Sequence, residues 1–140
     1  MKLDLKSLRD ALAALDESLG HLSSNLAQDP SLRRQFRAAS IQGFEFTYEL
    51  AIKLIKRQLA QILAGTETVN QMLFMDLIRS AAEAGLITEV AHYRRFREMR
   101  NITSHTYDGA KAEEIVAVLP AFRDDVRSLL AELERRNRGD

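Results

Sequence analysis

Cysteine is absent from the chain. That excludes disulfides, thiolate metal sites and thiol nucleophiles, and it fits a reducing compartment such as the cytoplasm. With two prolines and six glycines in 140 residues, no Pro- or Gly-rich linker divides the chain, and a single domain over 1–140 is expected. Charge of one sign is also missing: Lys+Arg and Asp+Glu are both 20, giving a net charge of zero. A strongly basic nucleic-acid coat is thereby excluded, although local asymmetry is not. No charged-then-apolar leader opens the chain, and no apolar run approaches the roughly 18 residues that span a bilayer. A soluble, cytoplasmic protein without a membrane partner is the expectation. Nothing alternates like a strand, and there is no internal repeat.

What is present is helical periodicity. Leu5, Leu8, Leu12, Leu15, Leu19, Leu22 and Leu26 alternate spacings of three and four, the seam of a packed helix, with Asp4 as a candidate cap. Asp29-Pro30 reads as N-cap and first helical residue of a second, longer helix. Its apolar face runs through Phe36, Ile41, Phe44, Tyr48, Ala51, Ile55, Leu59 and Ile62, with Ile52 widening it, and Gly65 marks its stop. Thr68-Val69-Asn70-Gln71 matches a capping box, predicting a short third helix from Val69 that carries Met72, Leu73, Leu77 and Ile78 and closes at Gly85. Thr88 is the candidate cap of a fourth helix through Val90, Tyr93, Phe96, Met99 and Ile102. Asp108 can cap a last helix bearing Ile115, Leu119, Phe122, Val126, Leu129 and Leu133, and residues 134–140 read as a frayed tail. Short connections between long amphipathic helices imply antiparallel neighbours. The expected fold is all-α, an up-down four-helix bundle with an additional short helix. The apolar stripes read as core rather than as a cofactor site.

One segment breaks the regular pattern. His92, Arg94, Arg95, Arg97 and Arg100 crowd a stretch whose one acid is Glu98, and Ile102-Thr103-Ser104 then weakens helical preference through β-branching and hydroxyl competition. Arg100, His105 and Tyr107 form the string R-x4-H-x-Y. The Arg–His spacing alone is expected about 0.3 times by chance in this composition, whereas adding the tyrosine lowers that to about 0.01. On a helix Asn101 and His105 share a face and can hydrogen-bond, which would orient the imidazole.

The side chains suggest a chemistry. An imidazole exchanges a proton near neutral pH, and a guanidinium forks onto a phosphate and stabilises charge developing there. Together they suit cleavage of RNA by its own 2′-hydroxyl. No cofactor is needed, and no cluster of His and carboxylate ligands offers a metal site. One histidine cannot easily serve as both base and acid, so a two-fold dimer placing the motifs face to face is the natural arrangement. The competing interpretation makes His105 a helix-terminal residue bound to a backbone carbonyl and Tyr107 an anchor at the core edge. Glu45 and Glu49 are placed to touch Arg side chains of the fourth helix and set the motif's orientation, and Glu49 with Lys53 also reads as an ordinary i,i+4 pair, in either case a structural role; His21 and His92, without partner patterns, read as surface residues.

Three stretches carry a family resemblance: "IQGFEFTYELAIKLIKRQL" at 41–59, "DLIRSAAEAGLI" at 76–87 and "RNITSHTYD" at 100–108. In order and spacing the chain resembles the nucleotidyltransferase substrate-binding proteins of the HEPN superfamily, close to HepT-type toxins. Ile52 departs from the pattern where many relatives carry an aromatic residue, a packing variation. The resemblance implies a usually dimeric helical bundle and a separately encoded minimal nucleotidyltransferase as partner. It further implies a metal-independent ribonuclease site at Arg100, Asn101 and His105, silenced when the partner attaches AMP to Tyr107. An alternative within the same family is a non-catalytic subunit that binds a nucleotide or other substrate for the nucleotidyltransferase.

Overall fold

The structure is a computed structural model describing residues 2–63 and 65–138. Among these residues there are six α-helices and no strand: α1 (Lys6–Leu22), α2 (Pro30–Ile62), α3 (Thr66–Asn70), α4 (Phe74–Glu83), α5 (Val90–Ile102) and α6 (Gly109–Arg136). Short 3-10 turns at Asn25–Gln28 and Thr103–His105 precede α2 and follow α5. None of the described helices is long and apolar enough to cross a membrane.

The four long helices form the expected bundle. α1 packs along α2 and α6, and α5 lies against α6 and α2. Leu8, Leu12, Leu15 and Leu19 fill the α1 seam. In the centre the Phe122 ring meets the edges of Phe44 and Phe96, with centroids 4.8 and 5.1 Å away. Such edge-to-face packing places the positive rim of one ring on the negative face of another. Ser40 and Thr47 are buried on α2, yet each hydroxyl donates to the carbonyl four residues back, Phe36 and Gly43. Polar side chains can therefore face the core without an unsatisfied group.

Capping explains two boundaries. The Asp29 carboxylate accepts from the Ser31 and Leu32 amides ahead of Pro30 at the start of α2, and Asp108 accepts from Ala110 N–H at 2.9 Å to start α6. α4 stops at Gly85, whose φ of 80° lies in the left-handed region. There the Gly85 and Leu86 amides donate to the Ala82 and Ala81 carbonyls, and buried Leu86 closes the motif.

Several expectations fail locally. The α1 seam ends at Leu22, because the chain turns at Ser23 and leaves Leu26 55% exposed. Asp4 binds the Lys6 amide, but the geometric N-cap is Leu5. Thr68 caps nothing: Gly65, at φ 112°, precedes α3, and extended Leu73 separates α3 from α4. The predicted short helix is thus two helices, and Leu73 is 75% exposed rather than packed. α5 begins after Glu89 without any side-chain cap, so Thr88 has no such role. Of the expected frayed tail, Glu134, Arg135 and Arg136 are helical, while Gly139 and Asp140 lie outside the described residues. Asn137 is tied down: its side-chain oxygen accepts from Leu3 N–H, and its amide donates to Gln58 and to the Leu133 carbonyl.

Candidate functional site

The R-x4-H-x-Y segment sits where α5 ends and a 3-10 turn begins. The turn is knit by its own polar side chains. The Thr103 hydroxyl donates to the Arg100 carbonyl at 2.8 Å, Thr106 donates to the Thr103 carbonyl, and the Asp108 amide donates to the His105 carbonyl. Here the hydroxyl competition read from the sequence takes physical form, drawing the backbone out of the α-helical ladder.

Arg100 is held on α2. Its Nε donates to Glu49 at 2.9 Å, Nη1 donates to the Thr103 hydroxyl at 3.0 Å, and Nη1 lies 3.7 Å from Glu45. The orienting contacts expected of Glu45 and Glu49 are thus present. Thr103 closes a clamp, its oxygen meeting both the carbonyl and the guanidinium of Arg100. Sequence reasoning assigned Thr103 only a helix-weakening part, although a hydroxyl three residues after the arginine was the available signal. Among the described residues the Nη2 donors of Arg100 have no hydrogen-bond partner.

His105 and Tyr107 come together on the outside of the turn, with rings 6.1 Å apart and nearly perpendicular. Tyr107 is 87% exposed and His105 is exposed. Neither part of the competing interpretation holds among the described residues: His105 has no carbonyl partner for its ring, and Tyr107 anchors no core edge. The expected Asn101–His105 bond is also missing there, because the helix loosens between them and Asn101 points to solvent. Beside the motif lies a cleft of about 280 Å³, lined by Thr106 with Arg34, Arg37, Gln42, Glu45 and Ala112 among others. Its lining includes neither Arg100 nor His105.

The rest of the arginine cluster is largely engaged. Arg95 pairs with Glu98 and Glu114, and Arg97 lies over the Phe74 ring at 4.5 Å. His92 and His21 are exposed, as expected of surface residues, and each meets a partner that no sequence pattern indicated: His92 Nδ1 lies 2.7 Å from Asp125, and His21 stacks on Phe36 with centroids 5.2 Å apart. Behind the cleft, Glu113 accepts from Arg33 and Arg37. Partial burial works to raise its pKa, but those two hydrogen bonds and the adjacent charges outweigh it and hold the carboxyl below the ordinary glutamate value. Burial pushes the Tyr48 phenol up to about 12. Among the described residues no group of three His, Asp or Glu side chains is placed to share a metal ion.

Fold and site together define an all-helical bundle that carries an exposed His–Tyr pair on the turn following a clamped arginine. Residues 3–135 match the family described as nucleotidyltransferase substrate binding protein like, and the chain belongs to that family. It is 37% identical over 142 residues to a Haemophilus influenzae protein named "Probable ribonuclease HepT", covering 99% of this chain and 97% of that one. It also superposes, with a TM-score of 0.89 and 35% identity, on a solved Haemophilus influenzae structure described as the fold of a substrate-binding domain of a nucleotidyltransferase. That match covers 94% of this chain and 99% of the other.

Proposed function

We propose that this protein is a HepT-like partner of a separately encoded minimal nucleotidyltransferase, a cytoplasmic, metal-independent endoribonuclease of a toxin–antitoxin pair. The observation that carries this reading is the exposed His105–Tyr107 pair on the turn that follows Arg100, whose guanidinium orientation is fixed by Glu49 and Thr103. Core packing gives no reason for a histidine and a tyrosine to stand together in solvent. The named ribonuclease relative supports the same chemistry.

In this mechanism one imidazole takes the proton of an RNA 2′-hydroxyl, whose oxygen attacks the adjacent phosphorus. The bond from phosphorus to the 5′-oxygen breaks, and that oxygen receives a proton from a second imidazole. The products are a 2′,3′-cyclic phosphate and a 5′-hydroxyl. A homodimer supplies His105 twice, Arg100 stabilises the charge that develops on the phosphoryl oxygens, and Asn101 lines the same site. Silencing proceeds at Tyr107. Its phenolic oxygen attacks the α-phosphorus of a nucleoside triphosphate held by the partner, the phenol proton passes to base, and pyrophosphate leaves. The attached nucleotide adds bulk and negative charge beside His105 and Arg100, which repels an RNA phosphate.

The test is cleavage of a labelled RNA by purified protein without its partner. Wild type cleaves, while His105→Ala and Arg100→Ala lose activity with unchanged helicity by circular dichroism. Incubation with the nucleotidyltransferase and ATP adds one AMP to the Tyr107 peptide by mass spectrometry. RNA left intact by folded, partner-free wild type refutes the enzymatic reading. A second reading, a non-catalytic subunit presenting a nucleotide to the nucleotidyltransferase, is favoured by the engagement of Arg100 with two carboxylates and by the description of the solved relative. It expects nucleotide affinity that falls in Arg100→Ala, with no cleavage, in a calorimetric titration.

A further inference from the structure

A larger cleft lies on the other side of the Arg100 contact. It is a groove of about 570 Å³ between α2 and the α3 segment. Leu3, Ile52, Ala60 and Val69 give it apolar lining, while Lys53, Lys56 and Arg57 supply cations and, among the described residues, Glu49 its one acid. Among the described residues none of the three cations has a carboxylate partner, and all three are exposed; the Glu49–Lys53 pair expected from the spacing does not form, because Glu49 is taken by Arg100. Elsewhere in the chain basic side chains are mostly paired, as Arg33, Arg37, Arg123, Arg127, Arg135 and Arg136 are. A chain of zero net charge therefore presents a local positive excess at this groove.

The groove is joined to the motif. Glu49 lines it and also holds Arg100 Nε at 2.9 Å. Along α2, Glu45, Glu49, Lys53 and Lys56 fall within about 80° of one another at 100° per residue, so the groove and the Arg100 contact share one face of the helix. The eight steps from Glu45 to Lys53 rise about 12 Å at 1.5 Å each, which is about two nucleotide steps of one extended strand.

We propose that the α2–α3 groove binds the backbone of single-stranded RNA flanking the cleavage site, with Lys53, Lys56 and Arg57 each on a phosphate. This rests on the ribonuclease reading for the identity of the strand and assigns it a binding track outside the motif. Among the described residues the groove's lining has no aromatic side chain, so bases have no stacking platform there and recognition is electrostatic and tolerant of sequence. Thr66 and Asn70 offer hydrogen bonds to sugar hydroxyls. Glu49 sets the boundary: it repels a phosphate at the junction while it steadies Arg100, which keeps the strand's charges on the lysines and leaves the Arg100 Nη2 donors for the scissile group.

The experiment measures binding of a short, uncleavable 2′-O-methyl RNA to the full chain by fluorescence anisotropy at several salt concentrations, with cleavage of unmodified RNA followed in parallel. Single-strand binding loses about 0.7 units of log–log salt slope per phosphate contact removed. Lys53→Ala/Lys56→Ala/Arg57→Ala should therefore flatten the slope by about 2, so that between 50 and 200 mM salt wild type loses about 20-fold more affinity than the variant. Lys56→Glu alone should shift affinity in the same direction. Arg9→Ala, on α1 outside the groove, should match wild type. A triple variant with wild-type affinity and slope overturns the proposal, as does wild type that binds without salt dependence. Binding lost in the triple variant while wild type cleaves nothing sinks the ribonuclease reading and leaves the groove standing. Cleavage by wild type with unaltered binding in the triple variant does the reverse.

Discussion

Replacing Glu49 with alanine should separate stability from activity. The Glu49 carboxylate accepts from Arg100 Nε at 2.9 Å, with the arginine and glutamate side chains 34% and 62% exposed. A pair this open to solvent contributes about 0.2–1 kcal/mol. Unfolding entropy of about 2.1 cal/mol/K per residue amounts to roughly 0.3 kcal/mol/K for this chain, so Tm should fall by no more than about 3 °C. Activity should fall further. The Nε bond and the Thr103 bond together fix the plane of the guanidinium; with one removed, the group swings about its last torsion. Misplacement by about 1 Å can cost 100-fold, and the surviving Thr103 bond limits the loss to about tenfold in kcat, or 1.4 kcal/mol. KM should stay level or drop, because deleting the groove's one acid makes it more positive. Glu49→Gln keeps an acceptor oxygen for Nε and should recover most of kcat. The assay is steady-state cleavage of a labelled RNA, with thermal melts of the same preparations. Glu49→Ala turning over as fast as wild type, or Glu49→Gln as slow as Glu49→Ala, would refute a positioning role.

Phe122→Ala, which empties the centre of the ring cluster between Phe44 and Phe96, should cost about 3–5 kcal/mol in urea unfolding; a loss below about 2 would mean that the core closes over the void. Asn137→Ala should destabilise by about 1–3 kcal/mol, since it strands the buried Gln58 amide and frees Leu3 from the end of α6. A melt unchanged from wild type would show that Asn137 does not couple the two ends of the chain. Tyr48, raised to about 12 by burial, makes the fold sensitive to alkali. Below the unfolded tyrosine value near 10 both states are protonated and its contribution is fully present; above it the unfolded chain releases the proton first, so stability should decline from about pH 10 to 12. Tyr48→Phe should flatten that decline in pH-dependent denaturant titrations, and an unaltered decline would assign it elsewhere.

The long helices were legible because each carries its apolar residues at helical spacing over several turns, and because Asp29-Pro30 and Asp108 combine a side-chain acceptor with a backbone that can turn. The region from Gly65 to Leu73 was not. Thr68 and Gln71 stand at the capping-box spacing, yet a four-residue pattern recurs by chance, and the decisive features there are tertiary. Val69 is 1% exposed against the body of the bundle, Gly65 takes a φ of 112°, and Leu73 is extended so that α4 can restart along a new line. Nothing local in the sequence specifies those directions. The zero net charge was similarly incomplete as a guide. It sums over pairs already made, whereas an approaching anion meets the remainder, and arginine forks consume most nearby carboxylates while Lys53 and Lys56 are left over.

Helical periodicity taken alone places Tyr107 in the wrong environment, and the reason lies in the motif itself. Tyr93, Phe96 and Met99 are buried on α5. Tyr107 follows Phe96 by eleven residues, which on an unbroken helix points it within about 20° of the same direction, into the core. The chain leaves the α-helix at Ile102 instead, and Tyr107 emerges 87% exposed beside His105. Thr103 is central to that departure: one oxygen bonds to both the carbonyl and the guanidinium of Arg100, so the interaction that helps end the helix also orients the arginine. The spacing of Arg100, His105 and Tyr107 is thus meaningful only with the break between them, which is why a hydroxyl at 103 belongs to the candidate site as much as the three residues the pattern names.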